Sequence, residues 1–315
     1  MEDAENLHIL IFLSIIATVY ILAAAIVIRW GLQKLRFTTL SKKPGQVWLR
    51  RIVVSLALIG VLCMAYGYFV EPYWLSVTRL QIKSSKLTAG SDPIRIIHIS
   101  DLHSDPKVRL EEQLPNLIGR EQPDAIFFTG DCINSPEGLP VFKECLTRLA
   151  AIAPTFAVKG NWDVAFWRNL NLFEDTGVRE IDGEATAINI KGSSIWVAGV
   201  SVGHEGRIKQ ALGSIPNDAF TVFLYHYPDL IPEISEQRVD LYCAGHTHGG
   251  QVALPFYGAL ITLSKFGKQY EAGLYQVDHT WLYVNRGIGM EGGSAPRVRF
   301  CSRPEVTVIE IVPEN

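Results

Sequence analysis

Ile94-Arg95-Ile96-Ile97-His98-Ile99-Ser100-Asp101-Leu102-His103 is a short apolar run that ends in a carboxylate and an imidazole two residues apart. Four of its first six residues are isoleucine, so both faces call for burial, as in a strand covered on each side. The pattern recurs downstream. A run at 124–130 meets Asp131, one at 155–160 meets Asn161, one at 220–225 ends at His226, and one at 240–245 meets His246-Thr247-His248. A further run lies at 195–200, and stretches with helical spacing lie at 109–120 and 141–151. Apolar strands alternating with helices predict an α/β fold with buried sheets. Beyond Gly249 the chain reads as hairpins at 274–277, 280–285 and 306–312.

In α/β sheets, ligands gather beyond the carboxyl ends of strands, so the five polar clusters should face one crevice. Gly130, Gly160 and Gly245 precede three of them, where tight turns want a permissive backbone. Taken singly each signal is weak. Asp-x-His is usually a turn or a cap, and Gly-Asp is usually a β-turn. It is the order and placement of all five that argue against chance.

The series Asp-x-His, Gly-Asp, Gly-Asn, His, Gly-His-x-His resembles the calcineurin-like metallophosphoesterase family, over about 200 residues from Ile94 to the end. The resemblance implies a four-layer αββα sandwich and a dinuclear site. Carried over by position, Asp101, His103 and His248 hold one metal, Asn161, His226 and His246 hold the other, and Asp131 bridges both. Asp131, Asn161 and His246 also take the positions assigned to catalysis. Carboxylate, imidazole and amide ligands together suit Mn, Fe or Zn better than Mg or Ca. Two such cations clamp a phosphoryl oxygen and generate the hydroxide that attacks phosphorus in line. No protein nucleophile is needed, and no Ser or Cys triad is apparent.

One position departs from the pattern. Many relatives follow Gly-Asn with a His that protonates the leaving alkoxide, but here that position is Trp162. An indole donates a hydrogen bond and does not release its proton at working pH. General-acid help is worth about 10²–10⁴ in rate. Its loss weighs on an alkyl ester more than on a phosphate leaving group, whose last pKa is about 6. The substrate expected is therefore a phosphoanhydride or an activated ester. Two alternatives stay open: His204 supplies the proton, or Trp162 only walls the pocket. The segments 283–287 and 299–305, with the apolar N-terminus, resemble a bacterial membrane-associated branch of the family. Some members of that branch hydrolyse UDP-2,3-diacylglucosamine.

That N-terminus holds apolar runs at 7–28 and 52–70, lengths at or near the roughly 20 residues that cross a bilayer as a helix. An acidic start argues for a retained anchor rather than a cleaved signal peptide. Residues 1–70 carry seven basic residues (Arg29, Lys34, Arg36, Lys42, Lys43, Arg50 and Arg51) against three acids, all seven between the two runs. The positive-inside rule then places this loop in the cytoplasm and a following domain on the extracytoplasmic side, which fits poorly with a cytoplasmic nucleotide sugar. The organisation expected is an anchor at 1–70, a linker at 71–93 and a catalytic domain at 94–315.

With a chain total of −3 and an anchor of +4, the remainder is −7, which excludes backbone-driven nucleic-acid binding. The expected partners are the bilayer and a phosphorylated small molecule or lipid. Cys63, Cys132, Cys145, Cys243 and Cys301 show no metal or disulfide spacing. His8, His98 and His279 are assigned to packing or turns, and Arg286 and Lys265 to solvent. The apolar stretch 252–263 is read either as a loop on membrane or an acyl chain, or as core. Rival classes are a phosphodiesterase or phosphatase on an extracytoplasmic substrate, a non-catalytic scaffold that kept the fold, and a transporter or sensor. Seven competent ligands argue against the scaffold. Two helices without an intramembrane charge argue against transport.

Overall fold

A computed structural model describes residues 2–36, 44–292 and 296–314, in two compact units, Met1–Val70 and Glu71–Asn315.

The first unit is a pair of helices, α1 (Glu2–Arg36) and α2 (Pro44–Phe69). The Tyr20 hydroxyl donates to the Ala57 carbonyl, and a side chain at Gly60 would strike the Tyr20 ring. Both helices are long and apolar enough to cross a membrane. Leu10, Leu13, Ile21, Leu58 and Leu62 stand exposed around them, as lipid-facing side chains do. The helices outrun the apolar segments. Arg29 and Lys34 lie within α1 and Arg36 ends it, while Arg50 and Arg51 lie within α2, so these five are helical rather than loop residues. A helix of 35 residues is about 50 Å long, well beyond the hydrocarbon core, so basic terminal turns extend past it. Lys42 and Lys43 lie outside the described residues.

The second unit runs β1 (Ser76–Ser84), β2 (Ile94–Ile99), α3 (Leu114–Arg120), β3 (Ala125–Phe128), α4 (Leu139–Ala150), β4 (Thr155–Ala157), α5 (Asn161–Phe166), β5 (Arg179–Glu180), β6 (Glu184–Ile190) and β7 (Ser193–Gly199). It continues through α6 (Ile208–Gly213), β8 (Phe220–Leu224), α7 (Ile231–Ser235), β9 (Leu241–Ala244), β10 (Ala253–Leu254), β11 (Gly258–Ala259), β12 (Gly273–Val277), β13 (Thr280–Val284) and β14 (Glu305–Pro313). Two six-stranded mixed sheets form, in the orders β1-β14-β2-β3-β4-β5 and β12-β13-β9-β8-β7-β6.

Strand alternation builds the layers. Ile94, Ile96, Phe127, Val222, Leu224 and Leu241 meet in a core between the sheets. Ile97, Ile99, Ile126 and Phe128 face the other way, onto Ile118 of α3 and Phe142 and Leu146 of α4. Phe223, Tyr242 and Ala244 face Ile208 of α6 and Ile231 and Ile234 of α7. Helix, sheet, sheet, helix is the metallophosphoesterase sandwich. β2, β3 and β4 run parallel, as do β7, β8, β9 and β13, so each sheet presents a row of strand ends.

Two expectations need correction. Residues 71–93 are not a linker, because β1 pairs in parallel with β14 along nine positions. Its outer face carries Arg79, Gln81 and Lys83, which disguises an edge strand as polar connection, while Ile82 is buried. Residues 306–312 are not a hairpin arm. β14 inserts between β1 and β2, parallel to one and antiparallel to the other.

Candidate metal centre

The strand ends of both sheets deliver side chains to one rim. The Asp101 carboxylate accepts from the backbone N of His246 at 3.1 and 3.2 Å, fastening the turn after β2 to the turn after β9. Asp131 Oδ1 accepts from the backbone N of Trp162 at 2.9 Å, and Oδ2 lies 3.3 Å from His226 Nε2 and 3.5 Å from His103 Nε2. His248 Nε2 lies 3.4 Å from Asp101 Oδ1. Asp101, His103 and His248 bring ligand atoms within 4.8 Å of one another, and so do Asp101, Asp131 and His226. Asp101 is shared by both groups, beside the bridging position expected of Asp131.

His226 Nδ1 pairs with the Thr129 carbonyl at 2.6 Å, so Nδ1 carries a proton and Nε2 is the nitrogen turned inward, free to ligate once its own proton leaves. His246 is held differently. Its Nε2 faces the Leu263 carbonyl at 3.2 Å and its ring packs on Tyr227, leaving Nδ1 as the nitrogen with a lone pair. Asn161 opens α5.

His226 Nε2, both His103 ring nitrogens and Asn161 Oδ1 are buried without a hydrogen-bond partner. Buried polar atoms are nearly always satisfied, so orphans on neighbouring ligand-type side chains need a reason. Carboxylate–imidazole separations of 3.3–3.5 Å are long for hydrogen bonds. They suit two ligands of one cation, each about 2.0–2.2 Å from it. The residues fit divalent metal ions.

Backbone strain falls on the same side chains. Asp101, His103, Asp131, His246 and His248 all adopt positive φ, between 39° and 70°. Each such residue costs on the order of 1 kcal/mol or more and persists only where the surroundings enforce it. The glycines contribute in two ways. Gly130 has φ +92 and needs its freedom, while a side chain at Gly245 would strike Ser100 Oγ and the Asp101 carboxylate. At Gly245 the requirement is space rather than conformation.

The electrostatics of the cluster couple its carboxylates to its imidazoles. Burial favours the neutral form of His226, but the Asp131 and Asp101 charges and the Thr129 carbonyl overcome it and push the imidazole up to about 10. Burial would raise Asp131 too, and His226 and His103 hold it well below the carboxylate range. Burial, with the His226 charge beside it, lowers His246 to about 3. At neutral pH a proton on His226 therefore neutralises part of the carboxylate charge, and an arriving cation must displace it. Calorimetric metal titration at pH 7 to 8, in buffers of different ionisation enthalpy, should show at least one proton released per protein, His103 and Asp101 being raised beside His226. Affinity should rise as pH rises toward 10, by about tenfold per unit for one proton. Binding without proton release would contradict this account.

Trp162 and His204 end up in different surroundings. The Trp162 ring stands edge-on to His103 at 5.3 Å and stacks with Phe166 at 5.0 Å, so it walls the ligand cluster. His204 pairs with Asp182 at 2.7 Å, is 46% exposed, and shows no contact with the ligand cluster among the described residues. His98 is packed between the sheets against Thr129 Oγ1 at 2.9 Å.

Two positioning residues escaped the sequence reading. Asp163 accepts from the backbone N of Asp131, Cys132 and Gly160 at 2.8–2.9 Å, clamping the Asp131 loop to the Asn161 loop. Its signal was present, since a carboxylate three residues into a helix caps the start. Arg299 is fully buried and donates to the carbonyls of Arg286, Gly287, Gly289 and Ser302, with Nη2 3.2 Å from His248 Nδ1. No local pattern marks an arginine that binds main chain.

Carboxylates and imidazoles gathered from two sheets at one rim define a metal-dependent hydrolase. The chain belongs to the calcineurin-like phosphoesterase family, whose model matches residues 94–250. It is 32% identical to a metallophosphoesterase of Bacillus subtilis over 79% of this chain and 91% of that one. It is 30% identical to a phosphodiesterase of Escherichia coli, covering 84% and 98%. It is 28% identical to a UDP-2,3-diacylglucosamine pyrophosphatase of Chlamydia trachomatis, covering 81% and 94%. The protein is thus a phosphoester hydrolase with divalent metal ions, and its two apolar helices associate it with a membrane.

Proposed function

We propose that the protein hydrolyses a phosphoanhydride or activated phosphoester of a membrane-resident substrate, with two divalent cations held by Asp101, His103, Asp131, Asn161, His226, His246 and His248. The orphaned imidazole nitrogens facing Asp101 and Asp131 carry this reading. When bound, the cations supply Lewis acidity at the phosphoryl oxygen and a nucleophile at neutral pH. The chain's own contribution is placement. His226 is fixed by the Thr129 carbonyl, His246 by the Leu263 carbonyl, and Asp131 by the Trp162 backbone N–H. The donor set favours Mn, Fe or Zn.

Trp162 supports the leaving-group part of the reading. Its ring stands against His103 where relatives place a proton donor, and its indole N–H is not released at working pH. His204 is engaged by Asp182. A leaving group that departs without protonation is favoured, such as a phosphate or an aryl oxide. In detergent-solubilised full-length protein with Mn, pyrophosphate-linked and aryl esters should turn over at least about 10²-fold faster than alkyl phosphoesters. Fastest turnover of the alkyl ester would reject the proposal.

UDP-2,3-diacylglucosamine is the specific candidate that the Chlamydia relative favours, joining an acylated sugar to a pyrophosphate bond. It requires a cytoplasmic catalytic unit, whereas the basic charge between the helices favours an extracytoplasmic one. A C-terminal reporter fusion separates the two. Activity of the reporter outside the cytoplasm excludes the nucleotide sugar.

A further inference from the structure

We propose that the segment from Val252 to Lys268 is a membrane-docking surface that seats the metal centre on an anionic phospholipid bilayer. This rests on reading the two apolar helices as membrane spans, and it names how the catalytic unit meets the lipid.

β10 and β11 pair as a miniature hairpin whose tip is Pro255-Phe256-Tyr257. The Phe256 side chain is completely exposed, Leu263 is 59% exposed, and Tyr257 and Ile261 are also exposed. Phe256 and Leu263 both adopt positive φ, at 64° and 56°. The Leu263 backbone serves His246, but the apolar side chains that this loop holds in water are the mark of a contact surface.

Two observations select a bilayer as the occupant. The first is the tether. α2 ends at Phe69, and two residues later Glu71 is already locked into the catalytic unit, its carboxylate accepting from the backbone N of Cys301 at 2.9 Å and of Ser302 at 2.5 Å. Two residues reach about 7 Å at most, so the second unit follows the end of α2 with almost no linker. The hairpin belongs to this same corner, because Val252 bridges to Phe300, one residue before Cys301. Tyr73 and Trp74, each 52% exposed, stand at the entry and suit the interfacial belt where aromatics concentrate.

The second is chemistry. Lys268 lies over the Tyr257 ring at 3.4 Å and donates to the Tyr257 carbonyl, and Lys265 is exposed nearby in sequence. Apolar tips flanked by lysines are the composition of a segment that enters an anionic headgroup layer. The consequence for catalysis follows from the Leu263 carbonyl, which faces His246 Nε2. Leu263, seven residues beyond the Phe256 tip, is therefore the part of the segment that meets the metal centre, and a substrate whose acyl chains stay in the leaflet would present its phosphate toward that rim.

The test uses the full chain in nanodiscs of mixed phosphatidylcholine and phosphatidylglycerol, with Cys63 and Cys301 changed to serine. An environment-sensitive fluorophore is attached at Phe256→Cys or, as control, at Lys209→Cys on α6. The label at 256 should shift to the blue and be quenched by lipids bearing a nitroxide on the acyl chain, and the label at 209 should show neither. Phe256→Ser should lower turnover of a lipid phosphoester in the same discs at least about tenfold, with hydrolysis of soluble bis(4-nitrophenyl) phosphate unchanged. An unquenched label at 256 overturns the proposal, including the case where the labels of two chains form excimers and a second copy is the occupant. The labelling needs no catalysis, so quenching at 256 in a protein that turns over no phosphoester would uphold the docking surface and reject the proposed reaction.

Discussion

Asp131→Asn should lower kcat/KM on an aryl phosphodiester by about 10³-fold or more, the equivalent of roughly 4 kcal/mol of lost transition-state stabilisation. Asp131 sits between His226 Nε2 and His103 Nε2 and carries the charge that holds the two halves of the centre together. Asparagine has nearly the same shape and keeps an oxygen for the Trp162 backbone N–H, so the loop should stay in place. What it lacks is the charge that the proposed pair of cations would need. The variant should therefore bind fewer metal ions by elemental analysis while retaining its circular dichroism spectrum. Activity within tenfold of the parent, with a full complement of metal, would remove Asp131 from the bridging role.

The places where that role could be read from sequence are those where local and long-range demands coincide. Each of β2, β3, β4, β8 and β9 is an apolar run buried on both faces, and a polar side chain directly after such a run must sit at a sheet rim. That argument needs no partner strand. β1 failed it because one of its faces is polar, and the position of β14 depends on neighbours more than two hundred residues away in the chain. The ligating nitrogen of each histidine was likewise hidden. It follows from which carbonyl the other nitrogen meets, Thr129 for His226 and Leu263 for His246, and both lie in distant loops. The departure at Trp162 was legible because it replaces a general acid with an indole, whose N–H does not ionise at working pH. Its position beside His103, rather than across the pocket, was not.

Arg299 is the strongest example of a contribution that no pattern announces, and changing it to methionine should cost about 3–5 kcal/mol of stability. Burial, with Arg109 nearby, lowers its guanidinium to about 9, and four main-chain carbonyls solvate the charge instead of a carboxylate. Methionine fills much of the volume and leaves those carbonyls unpaired in the interior. For a domain of this size the melting temperature should fall by roughly 10 °C. The effect on activity should come through the metal. Three of the four carbonyls that Arg299 gathers belong to the loop whose Ile288 and Gly289 N–H groups donate to the Asp101 carbonyl, and its Nη2 meets His248 Nδ1. Losing it loosens two ligand positions at once. The metal concentration for half-maximal activity should rise by at least about tenfold, while kcat at saturating metal recovers toward the parent value. Arg299→Lys should rescue little, because one ammonium cannot reproduce a fork that spans four carbonyls. A variant that melts early yet titrates with metal like the parent would make Arg299 a purely structural residue. One that loses kcat at saturating metal would place it in contact with the substrate instead.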